Sequence, residues 1–328
     1  MPYQTGFATD PNDLLQKIVA WLQTIGWTVN MSQANGTGWR AHVSKNGMFV
    51  NLCTTIGNNN PWGHNWSPAP GATVAGMHLY TGDGYSAGAN WNLQPGGPKG
   101  NGQTYTVGAS ARLHQGQISS YGFYSDASDN ICIVFEGQPG IISSIGWGRL
   151  NKAGVYTGGE YFFGSVPAYS LGGTSPNSPG ITDHAYCPCA NGGISNCAMY
   201  FIKADVDTFT GKWLSSGTTT TVPQGYTGRI AASSVPGNNT PPVDIASYIG
   251  LVNRATTEAT HAASLWPINL WTPRDANIGG YSLLGCLPSI FYSNAAGSTN
   301  LNIPIGSEIQ SGSDVYVLYP NFAVKKVA

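Results

Sequence analysis

One segment near the start of this chain carries clear helical periodicity, and it constrains the fold more than any other feature. Asp10 is placed to cap a helix, Pro11 suits its first turn, and Asp13 occupies the capping-box position. Apolar residues then recur at helical spacing: Leu14, Leu15, Ile18, Val19, Leu22 and Ile25. Gly26 follows and ends the pattern. The sequence therefore predicts one amphipathic helix whose apolar side packs on a sheet.

Most of the remaining chain has the pattern of short strands separated by turns and loops. The predicted strands are 27–29, 39–44, 48–52, 77–80, 131–135, 161–163, 198–202 and 315–319. Lys45-Asn46-Gly47 is predicted to form the turn of a hairpin. Long segments rich in Gly, Pro and Asn lie between strands: 57–71, 94–103, 170–180 and 236–242. We predict a mainly β, α+β fold in which the N-terminal helix packs on an antiparallel sheet or sandwich with long Gly/Pro/Asn-rich loops.

A weak domain boundary is predicted in the second half of the chain. Residues 1–215 form the helix plus a β-rich domain, and 216–242 form a Thr/Pro/Gly-rich linker. Residues 243–328 form a C-terminal β-rich segment, either separate or part of the same domain. Within it, 243–265 fits either a helix or a strand hairpin.

Charge is scarce in this chain, and this limits the classes of function. Of 328 residues, 14 are Lys or Arg and 15 are Asp or Glu, or 9%, where an ordinary domain has about 25%. Because 41% of the chain is hydrophobic, it is expected to fold compactly with a neutral, polar-aromatic surface. Such a surface suits a permanent assembly or contact with sugars better than a free cytosolic enzyme.

Composition and sequence pattern also exclude several classes of partner and cellular location. A net charge of −1 gives no basis for binding nucleic acid through phosphates. There is no apolar run long enough for a membrane span. The start lacks a basic region followed by an apolar core, so no signal peptide is predicted and synthesis in the cytoplasm without classical export is expected.

One motif raises the question of catalysis. Gly84-Tyr85-Ser86-Ala87-Gly88 matches the nucleophile-elbow pattern, which requires a long helix after the serine. Residues 89–97 are too rich in Asn, Pro and Gly to form that helix. We therefore predict a Gly-rich loop and no enzyme, with a serine hydrolase or a glycoside hydrolase using two carboxylates as weaker alternatives. Asp126 and Asp129 are predicted to be turn carboxylates rather than calcium ligands.

Four residues form a candidate metal site: His184, Cys187, Cys189 and Cys197. Imidazole and thiolates suit tetrahedral zinc, although Cys-x-Cys is tighter than the usual spacing. A disulfide between Cys197 and one of the other two cysteines is a second interpretation. Reduced structural thiols are a third, so no cofactor other than this possible zinc is predicted.

Aromatic residues in the Gly/Asn/Pro-rich loops are candidate contact residues: Trp62, Trp66, Tyr85 and Trp91. Such side chains stack on sugar rings or anchor subunit interfaces. The alternative is that they cover apolar surface beneath their own loops.

Short blocks rich in Gly and aromatic residues are spread over most of the chain. The most specific is Ile145-Gly146-Trp147-Gly148-Arg149-Leu150-Asn151-Lys152-Ala153-Gly154, followed by Tyr156-Thr157-Gly158-Gly159-Glu160-Tyr161. The other blocks are 3–9, 26–29, 45–47, 50–52, 82–85, 283–288, 306–309, 312–316 and 319–321. Together they resemble a family of virion structural proteins from tailed bacteriophages.

The resemblance implies a component of the virion, in the tail or baseplate, that contacts other copies of itself and other virion proteins. It brings no catalytic residues, and the cysteine cluster at 187–197 is not part of the pattern. A carbohydrate- or receptor-binding adhesin that contacts a host surface glycan is the first alternative. A capsid or neck decoration protein is the second.

Overall fold

The computed structural model describes residues 3–56, 75–98, 108–113, 117–138, 141–164, 166–167, 199–205, 212–215, 231–233, 265–273, 281–292, 304–319 and 322–327. Over these residues the protein is mostly β, with antiparallel sheets and one α-helix, as predicted. The helix is α1 (Pro11–Thr24), and one turn of 3₁₀ helix spans Trp91–Leu93. The strands are β1 (Tyr3–Ala8), β2 (Thr28–Asn35), β3 (Gly38–Lys45), β4 (Met48–Ile56), β5 (Ala75–Gly82), β6 (Ala109–Leu113), β7 (Ile118–Ser125), β8 (Ile131–Gln138), β9 (Ile141–Arg149), β10 (Asn151–Lys152), β11 (Thr157–Gly164), β12 (Val166–Pro167), β13 (Met199–Asp205), β14 (Lys212–Ser215), β15 (Ala231–Ser233), β16 (Trp266–Pro273), β17 (Tyr281–Tyr292), β18 (Glu308–Ser311), β19 (Asp314–Tyr319) and β20 (Phe322–Lys326).

The helix and the hairpin turn form where the sequence predicts them. Asp10 caps α1, and its side chain accepts a hydrogen bond from Asp13 N at 2.9 Å. Gly26, just past the helix, has a φ of +87°, which glycine adopts without strain. The hairpin turn between β3 and β4 is confirmed, with positive φ at both Asn46 and Gly47.

The middle layer of the protein is a sheet that is buried on both faces, which we call the central sheet. Its strand order is β1-β7-β8-β9-β11-β13-β14, and all neighbours are antiparallel. On β8, Ile131 and Ile133 belong to one hydrophobic core, whereas Cys132 and Val134 belong to another. Antiparallel sheets commonly keep one solvated face, whereas the middle strand β8 of this one is buried on both faces. The uninterrupted apolar run on β8 follows from this double burial.

A second sheet and the helix cover one face of the central sheet. The order of this sheet, which we call the helix-side sheet, is β12-β6-β5-β4-β3-β2. Its β5 and β6 pack directly on β9 and β11 of the central sheet. At the other end of the helix-side sheet, β2, β3 and β4 pack on α1, which in turn contacts β1 and β7 of the central sheet. The helix reaches the central sheet through Trp21, whose ring centroid lies 5.4 Å from that of Phe123. One core therefore joins the helix and both sheets.

The third sheet covers the other face and contains the C-terminal strands. Its order is β15-β16-β17-β20-β19-β18, and β10 pairs with β17. Leu284, Ile290 and Phe322 share a core with Val134 and Phe163 of the central sheet. Of the predicted linker 216–242, only Ala231–Ser233 is described, and of the ambiguous segment 243–265 only Leu265 is described.

The Gly-aromatic-Gly block on β9 is explained by close packing. A Cβ added at Gly148 would lie 1.9 Å from Asn130 Oδ1, and one at Gly146 would lie 2.4 Å from a ring carbon of Phe163. Between these glycines, Trp147 is fully buried and meets Trp27 edge to face, with ring centroids 5.9 Å apart. The glycines thus let neighbouring groups approach the backbone on either side of a core tryptophan.

Candidate functional site

The predicted contact aromatics Tyr85 and Trp91 lie in a loop, residues 83–98, that covers one face of the helix-side sheet. The opposite face of this sheet meets the helix, as shown by Thr54 Oγ1, which lies 2.5 Å from Asn12 Oδ1 of α1. Since side chains alternate along a strand, Asn51 faces away from the helix. His42 and Tyr80 are its partners in register on the flanking strands. We call His42, Asn51 and Tyr80 the polar row.

The loop packs on the polar row through its two aromatic rings. The ring centroid of Tyr85 lies 5.3 Å from that of His42. The ring centroid of Trp91 also lies 5.3 Å from that of Tyr80, and Tyr80 donates a hydrogen bond to the Trp91 carbonyl. Trp91 is only 2% exposed, whereas Tyr85 is half-buried. Of these two rings, Tyr85 alone presents area to solvent.

The His42–Asn51 pair has an assignable protonation state. His42 Nδ1 lies 2.6 Å from Asn51 Oδ1, and an amide oxygen only accepts, so Nδ1 carries the proton. Burial lowers the pKa of His42, and Arg40 lowers it further, although the hydrogen bond to Asn51 acts in the opposite sense. His42 Nε2 and Asn51 Nδ2 are buried without a hydrogen-bond partner. The pair therefore holds an unused acceptor and an unused donor beneath Tyr85.

A second buried imidazole lies on the same face of the sheet. His78 Nε2 is 3.0 Å from Thr55 Oγ1, and the ring of His78 lies 6.2 Å from that of Trp91. Burial lowers the pKa of His78 to about 3, so its ring is neutral at neutral pH. Both imidazoles beneath the loop are thus neutral at neutral pH.

The shape of the loop depends on Gln94, a residue that carried no signal in the sequence. Its side-chain amide accepts from Ser86 N at 2.7 Å and donates to Ser86 O at 3.0 Å and to Ala89 O at 3.1 Å. Asp83 N donates to Pro95 O at 2.9 Å and closes the base of the loop. The polypeptide after Ser86 forms this turn and then the 3₁₀ turn Trp91–Leu93. Ser86 therefore lacks the strand-turn-helix geometry that activates a nucleophilic serine.

The remaining predicted contact and metal residues lie outside the described residues. These are Trp62, Trp66, His184, Cys187, Cys189 and Cys197. Zinc, a disulfide and free thiols all stay open for the cysteine cluster. Within the described ranges, no three His, Cys, Asp or Glu side chains are grouped as metal ligands. Cys53, in that part of the chain, is fully buried, and burial raises its pKa to about 12.

The turn carboxylates Asp126 and Asp129 serve as structural links. Asp126 Oδ1 accepts from Ser128 N at 2.8 Å and from Asn130 N at 2.9 Å, and its Oδ2 accepts from Ser289 Oγ at 2.6 Å. Asp129 pairs with Lys45. Both carboxylates thus have protein partners, in keeping with turn residues.

Comparison with known proteins adds no assignment to these observations. No protein-family model and no curated protein matches the chain. Among the residues described, no helix has both the length and the apolar character needed to cross a membrane.

Proposed function

We propose that this chain is a structural component of a tailed-phage virion, located in the tail or baseplate, that acts through contacts between subunits. The blocks that resemble virion structural proteins support this proposal. The structural observation that carries it is the pairing of oppositely charged side chains with one another. Within the described part of the chain, twelve charged side chains are paired with an opposite charge, so they contribute little field at the surface.

Six ion pairs are present among the described residues: Lys17–Asp13, Lys45–Asp129, Arg149–Glu160, Lys203–Asp83, Lys325–Asp314 and Lys326–Glu308. A free soluble protein gains colloidal stability from net charge that repels its neighbours. Here the net charge is −1, and opposite charges cancel locally. Such a surface does not oppose close approach of other subunits, which is what a permanent assembly requires.

The mechanism we propose is geometric. The helix and the three sheets form a sandwich-like scaffold, and the long Gly/Pro/Asn-rich loops present its contacts. Because the central sheet is covered on both faces, it provides a rigid support. No cofactor or catalytic residue takes part.

Mass spectrometry of purified particles tests the proposal. We expect the protein in intact virions, and in the tail fraction when heads and tails are separated. Recovery with heads or necks would instead support a decoration protein. Absence from washed particles would overturn the proposal.

Glycan binding by the same particle protein is a second candidate function, favoured by Tyr85. Its half-buried ring lies over His42 and keeps area exposed to solvent. An exposed aromatic face of this kind can stack on a sugar ring.

Glycan-array binding by the full chain tests this second function. Loss of binding in Tyr85→Ala and its retention in Tyr85→Phe would support it, because phenylalanine keeps the stacking face. A wild-type chain that binds no glycan would count against it.

A further inference from the structure

Two open sheet edges and one side of the helix lie next to each other on the surface. β1 is the last strand of the central sheet and β2 the last strand of the helix-side sheet, and in the described part of the chain each has one strand neighbour. The helix α1 contacts both strands. We call this surface the edge face. Its exposed residues include Thr5, Phe7, Ala20, Gln23, Gln33 and Ala34.

The open strands of the edge face lack the usual protection by charge or proline. Natural proteins guard such edges with charged side chains, proline, very short strands or β-bulges, and of these β1 and β2 have only one bulge each. The six residues of β1 and the eight of β2 include no charged residue and no proline. By contrast, β18, at the edge of the C-terminal sheet, carries Glu308, which pairs with Lys326 at 2.7 Å. On α1, Asp13 and Lys17 neutralise each other at 2.6 Å.

Phe7 is displayed at this surface by a local irregularity of β1. The pairing with β7 shifts register between Gly6 and Ala8, which places Phe7 in a bulge. Its side chain is 57% exposed. Lys17 Nζ donates to the Phe7 carbonyl at 3.1 Å and lies 5.4 Å from the centre of the ring. A large aromatic side chain is therefore held outward at an open edge, as in many interface anchors.

The edge face is large enough for a specific contact. Eight extended residues of β2 span about 27 Å, and a helix between two sheets separates them by about 20 Å. The planar area is thus roughly 500 Å² per copy, or roughly 1,000 Å² for two copies, which is the lower limit of a specific interface.

We propose that the edge face binds a second copy of this chain, by backbone pairing at an open strand and burial of Phe7. This inference rests on the proposed function, since it names the partner of a virion subunit. The argument for a second copy is electrostatic. A highly charged partner would lose hydration at this face without gaining an opposite charge. A partner with its own uncharged strand edge avoids this loss, and this chain has two such edges.

Sedimentation of the full-length protein tests the inference, from about 1 to about 100 µM, a range that covers micromolar dissociation constants. We expect association that increases with concentration. Ala34→Lys and Ala20→Lys place a positive charge on both sides of the contact and should weaken association at least about tenfold. Ala153→Lys is the matched control, because Ala153 is also exposed but lies in the turn after β10. It should associate like the wild type.

Phe7→Ser provides a second variant that adds no charge, and circular dichroism verifies that each variant is folded. A wild type that stays monomeric throughout this range would overturn the inference. So would equal association of Ala34→Lys, Phe7→Ser and Ala153→Lys. A monomer that is nevertheless found in virions would refute the self-contact alone, whereas a self-associating protein absent from virions would refute the proposed function.

Discussion

Lys45 Nζ lies 2.6 Å from Asp129 Oδ1, and this ion pair joins the β3–β4 turn of the helix-side sheet to the β7–β8 turn of the central sheet. Lys45 Nζ also donates to Ile25 O at 2.6 Å. Beside it, Asn46 Nδ2 donates to Asp129 Oδ2 at 2.8 Å, and Arg149 donates to Asn46 O at 2.7 Å. The Lys-Asn-Gly turn thus fixes one end of the two sheets relative to each other.

We expect Lys45→Met to lower the free energy of unfolding by about 1–3 kcal/mol, because it leaves the partly buried Asp129 carboxylate without its cation. Denaturant unfolding measures the loss. Lys325→Met is the matched control, since Lys325 pairs with Asp314 within one hairpin and the side chains are 31% and 37% exposed. It should cost less than about 1 kcal/mol. Equal losses would contradict a special role for Lys45.

Gly148→Ala is expected to be strongly destabilising, by about 3 kcal/mol or more. Its new Cβ would meet Asn130 Oδ1, which cannot move away without losing its hydrogen bond from Arg149 N at 2.7 Å. In Gly154→Ala the new methyl group meets nothing within 4 Å, so the change should stay within about 0.5 kcal/mol of wild type. Thermal unfolding, or the soluble folded yield if Gly148→Ala is too unstable, compares the two. A mild Gly148→Ala would refute the packing explanation of this glycine.

Acid should destabilise the protein through its buried histidines. Burial lowers the pKa of His78 to about 3, whereas an unfolded histidine titrates near about 6.5. Between these values the unfolded chain binds a proton that the folded chain does not, so stability falls as the pH drops below about 6.5. At about pH 5, this one histidine removes about 2 kcal/mol relative to about pH 7. Burial of His42 acts in the same direction.

His78→Gln removes the titrating group and should shrink the stability difference between about pH 7 and about pH 5 by about 2 kcal/mol. Thr55→Val is the control, because it removes the hydrogen-bond partner of His78 and leaves the imidazole in place. Urea unfolding at both pH values gives the comparison. An unchanged pH difference in His78→Gln would exclude His78 as a source of acid sensitivity.

Trp91→Ala and Tyr85→Ala should separate packing from surface contact. Trp91 is 2% exposed, and its truncation should cost about 3–5 kcal/mol. Tyr85 is half-buried, so Tyr85→Ala should cost less than about 2 kcal/mol. Unfolding in denaturant ranks the two variants, with Trp91→Phe as a milder change if the alanine variant does not fold. The reverse ranking would show that the loop is not anchored by Trp91.

Local signals were sufficient to predict the helix and many strands. The Asp10 cap, the apolar spacing after it and Gly26 all act within a few residues of one another, and α1 forms there. The predicted strands 131–135 and 161–163 lie within β8 and β11 for the same reason, since runs of β-branched and aromatic residues favour extended backbone. The turn at Asn46 and Gly47 likewise depends on its own backbone preferences.

The sequence by itself thus determined the helix, the β3–β4 turn and several of the strands, because those preferences depend on neighbours along the chain. The tertiary structure alone decided which side chains are covered. The contact between Asn46 and Asp129 joins residues 83 positions apart, and no local sequence pattern predicts such a distant partner. Likewise, Trp91 and Tyr85 occur in the same kind of loop, yet one is buried on Tyr80 and the other remains half-exposed over His42. Burial depends on which sheets meet, and that is a property of the whole fold.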